Sequence, residues 1–177
     1  MYVQNTNPIA IRTQQMISQA LIRLMQRTSY QQITVTDLCR EADIGRKTFY
    51  RHFQWMEDVI DFQLDQLYAE YEEDLHTLSL EQYLPHHFAF LERHIDYLKL
   101  LYQNELLDHL SAKFNCLLPQ VMPQWSPDPM KQEYLSAYIS AGVNAMIHTW
   151  VARDFAESVD EIVAMAVQSQ GVSSPLP

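Results

Sequence analysis

The residues best suited to chemistry lie in one short segment, 46–52, in which cationic and hydrogen-bonding side chains follow one another. Arg46 and Lys47 open the segment, and the polar side chains after them are Thr48, Tyr50, Arg51 and His52. Arg and Lys can donate to the O6 and N7 atoms of guanine, and all of these groups can contact phosphate oxygens. The chemistry that this segment favours is therefore binding to a nucleic acid.

Two short helices joined by a tight turn are predicted to position these side chains. The first helix opens on a capping box of Thr34 with Asp37 and buries a face at helical spacing. The turn falls at 43–45, because Asp and Gly both tolerate the backbone angles of a sharp turn. In the second helix Phe49 and Phe53 repeat at i and i+4 and face inward, which leaves residues 46–48 and 50–52 on the other faces.

Residues 33–42 and 47–53 resemble the helix-turn-helix of TetR-like transcriptional regulators, most specifically in the sequence Thr-Phe-Tyr-Arg-His-Phe at 48–53. The resemblance covers residues 9 to about 65. In a helix-turn-helix the second helix lies in the major groove with its first residues on base edges. This position favours Arg46 and Lys47 as base contacts, with Thr48 on a base or a phosphate. The resemblance assigns the DNA backbone to Thr34, Thr36, Tyr50 and His52, with Arg51 near the groove edge.

The sequence departs from the family pattern in three places. Asp43 stands where the family usually has Gly, and Gly45 stands where Ser or Thr usually caps the second helix. Both replacements suit the same backbone roles. The family also places a phosphate-binding Lys shortly after the last Phe, whereas this chain has Gln54-Trp55-Met56. Two alternatives therefore stay open, a solvated basic face and a helical interaction protein that has lost DNA binding.

Charge is distributed unevenly along the chain, although the net charge is −10. Residues 1–53 hold seven Arg or Lys against three acids, a net +4, and residues 54–177 hold five against nineteen, a net −14. An acidic body repels phosphate and orients the basic end toward DNA. Overall acidity does not exclude a nucleic-acid partner.

The composition favours an all-α fold of about nine helices, since 47% of the residues are hydrophobic and only three are glycine. Residues 1–53 are predicted to form a three-helix DNA-binding domain, and residues 54–170 a larger helical effector-binding and dimerisation domain. A connector helix at 54–78 joins them, Asn104 caps a helix at 105–118, and four prolines predict a loop at 118–130. Residues 171–177 are predicted to be a disordered tail.

Several function classes are not expected. No segment resembles a signal peptide, and no uncharged apolar run reaches the length of a membrane span, so a cytoplasmic protein with reduced core thiols at Cys39 and Cys116 is predicted. His86, His87 and His94 lack the spacing of a metal site, and no nucleotide-binding or nucleophile motif is found. We expect no enzyme, no metal and no cofactor.

The partners expected from the resemblance are a palindromic double-stranded DNA operator and a second copy of the chain. The resemblance leaves open either a small effector that releases a repressor or a protein partner in place of a small inducer. The segment 134–150 is apolar or small almost all round, which predicts either a dimer interface or a central core helix. The interface candidates are Tyr134, Tyr138, Ala141, Ala145, Ile162 and Met165. Aromatic residues of the larger domain either line an effector pocket or form plain core: Tyr68, Tyr71, Phe88, Tyr97, Tyr102, Phe114, Tyr138 and Trp150.

Overall fold

The computed structural model describes residues 2–4, 6–75 and 78–170, and these ranges are entirely helical or irregular, with no strand. The predicted all-α fold of about nine helices is confirmed for this part of the chain. The α-helices are α1 (Pro8–Met25), α2 (Val35–Glu41), α3 (Arg46–His52), α4 (Glu57–Leu75), α5 (Leu80–Glu92), α6 (Ile95–Gln103), α7 (Leu107–Trp125), α8 (Pro129–Ala152) and α9 (Val159–Gln170), with a short 3₁₀ turn, η1 (Tyr30–Gln32), before α2. The predicted disordered tail lies outside the described residues.

Side-chain caps begin several of these helices. The Asn7 side chain accepts from the Ile9 amide at 2.9 Å, and that of Asp128 accepts from the Met130 amide at 3.0 Å. The capping box at Ser158 is also present, with its hydroxyl accepting from the Glu161 amide at 3.3 Å. These local signals act through amides that have no partner within the helix.

The predicted loop at 118–130 is wrong over most of its length, because α7 continues through Pro119 and Pro123 to Trp125. Both prolines are exposed, so the carbonyl groups that they deprive of a donor can turn toward water. Cys116 is exposed, so its expected place in the core is also wrong, whereas Cys39 is buried.

Asn104 has a different role from the predicted helix cap. α7 begins at Leu107, and the Asn104 side chain accepts from the Tyr30 amide of η1 at 2.8 Å. Asn104 is 3% exposed, and the Gln31 side chain donates to its carbonyl at 3.4 Å. The turn between α6 and α7 therefore fixes the segment that leads into α2.

The chain forms two compact units, one of residues 1–70 with 103–113 and one of residues 71–102 with 114 onward. The predicted boundary after residue 53 coincides with neither limit. In the first unit α1 packs against α2 and α3, and the first turns of α4 belong to the same core. The Gln63 side chain of α4 donates to the Ser18 carbonyl of α1 at 2.8 Å, which ties α4 to this unit.

In the second unit α5 packs against α9, and aromatic and histidine rings fill the core. His87 is completely buried, and its Nδ1 atom lies 3.0 Å from the Tyr71 hydroxyl. Its ring stacks on Tyr83 with centroids 5.9 Å apart and meets Phe114 at 4.6 Å. Burial lowers the pKa of His87 from 6.5 to about 3, so the side chain is neutral at physiological pH.

We predict that Thr34→Ala destabilises the first unit by ~1 kcal/mol, the usual value of an N-cap hydroxyl. The Thr34 hydroxyl accepts from the Asp37 amide at 3.2 Å, and alanine leaves that donor without its cap. The measurement is the free energy of unfolding from urea titration at neutral pH. Thr36→Ala is the matched control, because Thr36 is exposed within the same helix and should change stability much less. Equal losses in both variants would contradict the cap.

We predict that His87→Phe reduces the loss of stability in mild acid. Because its pKa is about 3 in the folded chain and 6.5 when unfolded, the unfolded state takes up the proton first as pH falls. The contribution of neutral His87 is complete above pH 6.5 and is lost progressively between pH 6.5 and 3. Free energies of unfolding at about pH 7.5 and about pH 5 should therefore differ less in the variant than in the parent chain. The same difference in both proteins would refute this role.

Candidate nucleic-acid interface

α3 is held by one buried face. Phe49 and Phe53 are both 0% exposed, and their ring centroids lie 5.9 Å apart. Phe53 also meets Phe62 of α4 edge-on at 5.8 Å. This aromatic contact confirms the predicted inward spacing and fixes which sides of α3 face outward.

Asp43 and Gly45 have different backbone conformations in the turn between α2 and α3. Asp43 has φ 52°, the left-handed conformation in which Asp is tolerated better than most residues. Gly45 has φ −80° in an extended conformation and is the N-cap of α3, with no side-chain hydrogen bond to supply. A Cβ atom added at Gly45 would meet nothing within 4 Å, so its place there does not depend on steric access.

Most of the predicted DNA-contacting side chains lie on the outer surface of this helix pair. Tyr50 is 51% exposed, and the Arg46 guanidinium carbon lies 5.9 Å from the centre of its ring. Thr48 is half-buried. The other exposed members of the predicted set are Thr34, Thr36, Arg46, Lys47 and Arg51.

The Thr34 side chain is already engaged in the capping box. Its hydroxyl donates to the Asp37 carboxylate at 2.5 Å, and its amide donates to the same carboxylate oxygen at 3.1 Å. These hydrogen bonds, with the Arg40 guanidinium beside them, lower the pKa of Asp37. A phosphate contact by the Thr34 hydroxyl would therefore compete with the cap.

His52 does not lie on an outer face, and its predicted exposure is wrong. Its side chain is 3% exposed, because it follows Phe49 by three positions and precedes Phe53 on the same side of the helix. Neither ring nitrogen has a hydrogen-bond partner among the described residues. Burial, together with the neighbouring Arg51 charge, lowers its pKa. A neutral, covered imidazole cannot serve as an exposed cationic phosphate contact in this conformation.

Ion pairing within the protein concentrates free positive charge on α3. Glu41 accepts from Arg23 at 2.8 Å and from Arg27 at 2.6 Å, and Arg40 lies 3.2 Å from Asp37. Within the described ranges Arg46, Lys47 and Arg51 form no ion pair. The pairing partly neutralises α1 and α2 and leaves α3 as the basic surface of the helix pair.

The segment after α3 is fixed by main-chain hydrogen bonds to a buried carboxylate, that of Asp58. The Asp58 carboxylate accepts from the Gln54 amide at 2.9 Å and from the Trp55 amide at 3.0 Å, and Asp58 is 2% exposed. Trp55 is 60% exposed. α4 then begins with Glu57 and Asp58, directly after the segment 54–56 in which the expected Lys is missing. The start of α4 is therefore acidic in this chain.

The aromatic residues predicted to line a pocket fall into an exposed group and a buried group. Tyr102 and Tyr138 are 43% and 59% exposed, so their expected place inside an enclosed pocket is wrong. Tyr97 is half-buried, and Trp150 borders a groove of about 570 Å³ between α8 and α9. At most 2% of each other aromatic side chain in the set is exposed: Tyr68, Tyr71, Phe88, Phe114 and Trp150.

Buried members of this set pack against other rings. Phe88 meets Trp150 at 5.8 Å, and Tyr71 meets His87 at 5.4 Å. His87, whose ring joins Tyr71 to Phe114, has no local signal in the sequence that separates a buried His from a surface one. The alternative of plain core describes these contacts better than a preformed cavity.

The predicted interface residues fall mainly on one side of α8. Tyr134 and Tyr138 are 74% and 59% exposed one turn apart, and Ala141 and Ala145 continue the exposed side. On α9, Met165 is 50% exposed. Ile162 is only 3% exposed in a single chain, so its predicted place in an interface is wrong. With Ala166, four residues on, it forms the buried face of α9, the helix that packs against α5.

No group of three or more metal-ligating side chains is found among the residues that the structure describes. In the same ranges none of the helices combines the length and apolar character needed to cross a membrane.

The helix pair is similar to known proteins. Residues 17–61 match the model for bacterial regulatory proteins of the tetR family. Over 61 residues the chain is 39% identical to the HTH-type dhaKLM operon transcriptional activator DhaS of Lactococcus lactis subsp. lactis (strain IL1403). That match covers 34% of this chain and 33% of the relative, so the chain spans about a third of the curated relative's length.

Two solved structures share the fold over nearly the whole chain. The dihydroxyacetone kinase operon activator DhaS aligns with a TM-score of 0.59 and 22% identity, covering 89% of this chain and 93% of that one. A TetR transcriptional regulator from Streptococcus agalactiae 2603V aligns with a TM-score of 0.67 and 19% identity, covering 91% and 94%. The chain is therefore TetR-like: residues 17–61 match the model of the tetR family, and the chain shares its fold with these two structures.

Proposed function

We propose that this chain is a sequence-specific DNA-binding transcriptional regulator that acts as a homodimer. The observation that carries the proposal is the outer face of α3, where Arg46, Lys47 and Arg51 are exposed and form no ion pair among the described residues. A helix fixed on one side by buried aromatic residues presents these cations in a defined geometry. Bidentate donors in such a geometry distinguish base pairs, whereas a flexible basic segment binds phosphate without sequence preference.

The charge of the remaining chain supports this orientation. Residues 54–177 carry a net −14, and α4 starts with two acids. An anionic body raises the cost of non-productive contacts with DNA and leaves the basic helix pair as the favoured point of approach. A protein with this role acts in the cytoplasm, where bacterial DNA lies. Regulation of this kind needs no bound cofactor and no catalytic group.

The exposed side of α8 supports assembly into a dimer. Tyr134, Tyr138, Ala141 and Ala145 lie on that side, and Gly142 adjoins it. Glycine inside a helix costs ~0.5–1 kcal/mol relative to alanine. A Cβ at Gly142 would meet nothing within 4 Å of its own chain, so packing within the chain does not call for a glycine there. Close approach of a helix from a second copy would use both the small residues and the exposed aromatic rings.

The sign of regulation has two candidates. Repression, with release by a small effector, follows from the resemblance to the family. Activation is favoured by the names of two similar proteins, both of which are described as activators of a dihydroxyacetone kinase or dhaKLM operon. A reporter gene placed behind the chain's own upstream DNA separates them, since the protein lowers expression in one case and raises it in the other.

The mode of control also has two candidates. A small effector requires a cavity, whereas the buried Tyr71 and Phe114 pack against His87 and leave the predicted pocket filled. This packing favours the alternative in which the regulator responds to a protein partner. A thermal-shift screen of small molecules tests the effector, because a ligand that binds the folded state raises the melting temperature by mass action.

We predict that the double variant Arg46→Ala, Lys47→Ala loses at least ~10-fold in affinity for the DNA upstream of its gene, since each good base contact contributes ~1–3 kcal/mol. Affinity is measured by fluorescence anisotropy at several salt concentrations, because phosphate contacts appear in the salt dependence. The double variant Arg93→Ala, Lys131→Ala is the matched control, with the same change in charge at two exposed positions of the second unit. Equal affinities of the two double variants would sink the proposal.

We predict that Ala145→Arg converts the dimer to a monomer and weakens binding to a palindromic operator. A long cation on the exposed side of α8 would have to be buried without a partner at the interface. Sedimentation velocity gives the oligomeric state. Ala112→Arg, a substitution at an exposed alanine of α7, is the control and should leave the dimer intact. A dimer that persists in Ala145→Arg would place the interface elsewhere.

A further inference from the structure

Val3 caps the C-terminal end of α3, although the two lie far apart in the sequence. The Val3 amide donates to the His52 carbonyl at 3.1 Å. His52 is the last residue of α3, and the final carbonyl groups of a helix have no donor within it. The N-terminal segment therefore supplies a hydrogen bond for which α3 has no donor of its own.

The carbonyl group of Val3 accepts a hydrogen bond from α1. The Gln14 side chain donates to the Val3 carbonyl at 2.8 Å, and Gln14 is 1% exposed. A buried amide side chain loses more free energy without a partner than an exposed one, so this hydrogen bond is strongly favoured. Through both of its main-chain groups Val3 bridges α1 to the end of α3.

Tyr2 adds a second link, toward α4. Its ring meets Phe62 edge-on at 5.4 Å and lies 6.1 Å from Phe53, the residue that follows α3. Its hydroxyl donates to the Asp65 carboxylate, which also pairs with Lys113. Burial and the nearby carboxylate raise the pKa of Tyr2, so its hydroxyl keeps the proton that it donates.

We propose that residues 2–3, the N-terminal strap, position α3 for DNA reading and thereby contribute to sequence specificity. The inference rests on the proposed function. Its physical basis is the length of α3, since seven residues extend roughly 10 Å. Arg46 and Lys47 lie at one end of this rod, and the strap holds the other. A tilt at the held end therefore displaces the donors that must align with base edges.

Specific and nonspecific binding depend on this alignment to different extents. Base readout requires positions held to within about 0.5 Å, whereas attraction to phosphate tolerates larger errors. A loosened strap should reduce the preference for the operator and leave nonspecific affinity nearly unchanged. A strap that serves only the stability of the fold would not change that preference in a chain that is still folded.

The test compares Tyr2→Ala and Val3→Pro with the parent chain. Alanine removes the ring and hydroxyl links, and proline removes the donor N–H while keeping the carbonyl. Gln4→Ala is the matched control, because Gln4 is exposed and adjacent. Affinities for the operator fragment and for a shuffled fragment of equal length are measured at one salt concentration, at a temperature where circular dichroism shows every variant to be folded.

Both strap variants should lower the ratio of operator to shuffled affinity by about 10-fold, the effect of roughly one mismatched base pair, and Gln4→Ala should keep the parent ratio. Hydrogen exchange in the free protein should be faster in α3 of both variants. An unchanged ratio, with or without a lower melting temperature, would overturn the positioning role. A parent chain that shows no operator preference would instead overturn the proposed function, and the role in reading with it, whatever the exchange rates show.

Discussion

Burial of one side of α3 is the constraint on which the remaining interface depends. A seven-residue helix is too short to be stable in water by its own hydrogen bonds, so tertiary packing must impose its conformation. Phe49, His52 and Phe53 provide that packing, and their burial determines which residues of α3 remain outside. The exposed cations are therefore arranged by the aromatic core beneath them. This coupling explains why a buried histidine occupies a position where an exposed imidazole is expected.

Local signals in the sequence were sufficient for much of this architecture. Caps at Asn7, Thr34 and Ser158 act within four residues, and the i and i+4 spacing of Phe49 and Phe53 determines a face without knowledge of the fold. His52 illustrates the limit of the same method. Its position allows either exposure or burial, and the choice is made by the elements packed around it, which periodicity does not describe.

Other features depend on contacts between residues far apart in sequence. The Asn104 side chain accepts from the Tyr30 amide, and the Val3 amide donates to the His52 carbonyl. No pattern near either residue predicts its partner, because polar side chains and main-chain ends are compatible with many arrangements. The prediction at Pro119 failed for the opposite reason. Proline usually ends a helix, but α7 continues through this residue. An exposed proline removes one helical hydrogen bond, and packing along a 19-residue helix offsets that loss.

Charge pairing limits how much affinity a single copy can supply. Glu41 pairs with two arginines of the α1 region and Asp37 with Arg40, which leaves three exposed cations on α3 without an ion-pair partner in the described part of the chain. Few counterions are released when so few phosphates are neutralised, so nonspecific affinity is low. Low nonspecific affinity favours specificity only if the specific complex gains energy elsewhere. In the proposed function two copies joined on a two-fold operator supply that gain, because binding of the first raises the effective concentration of the second.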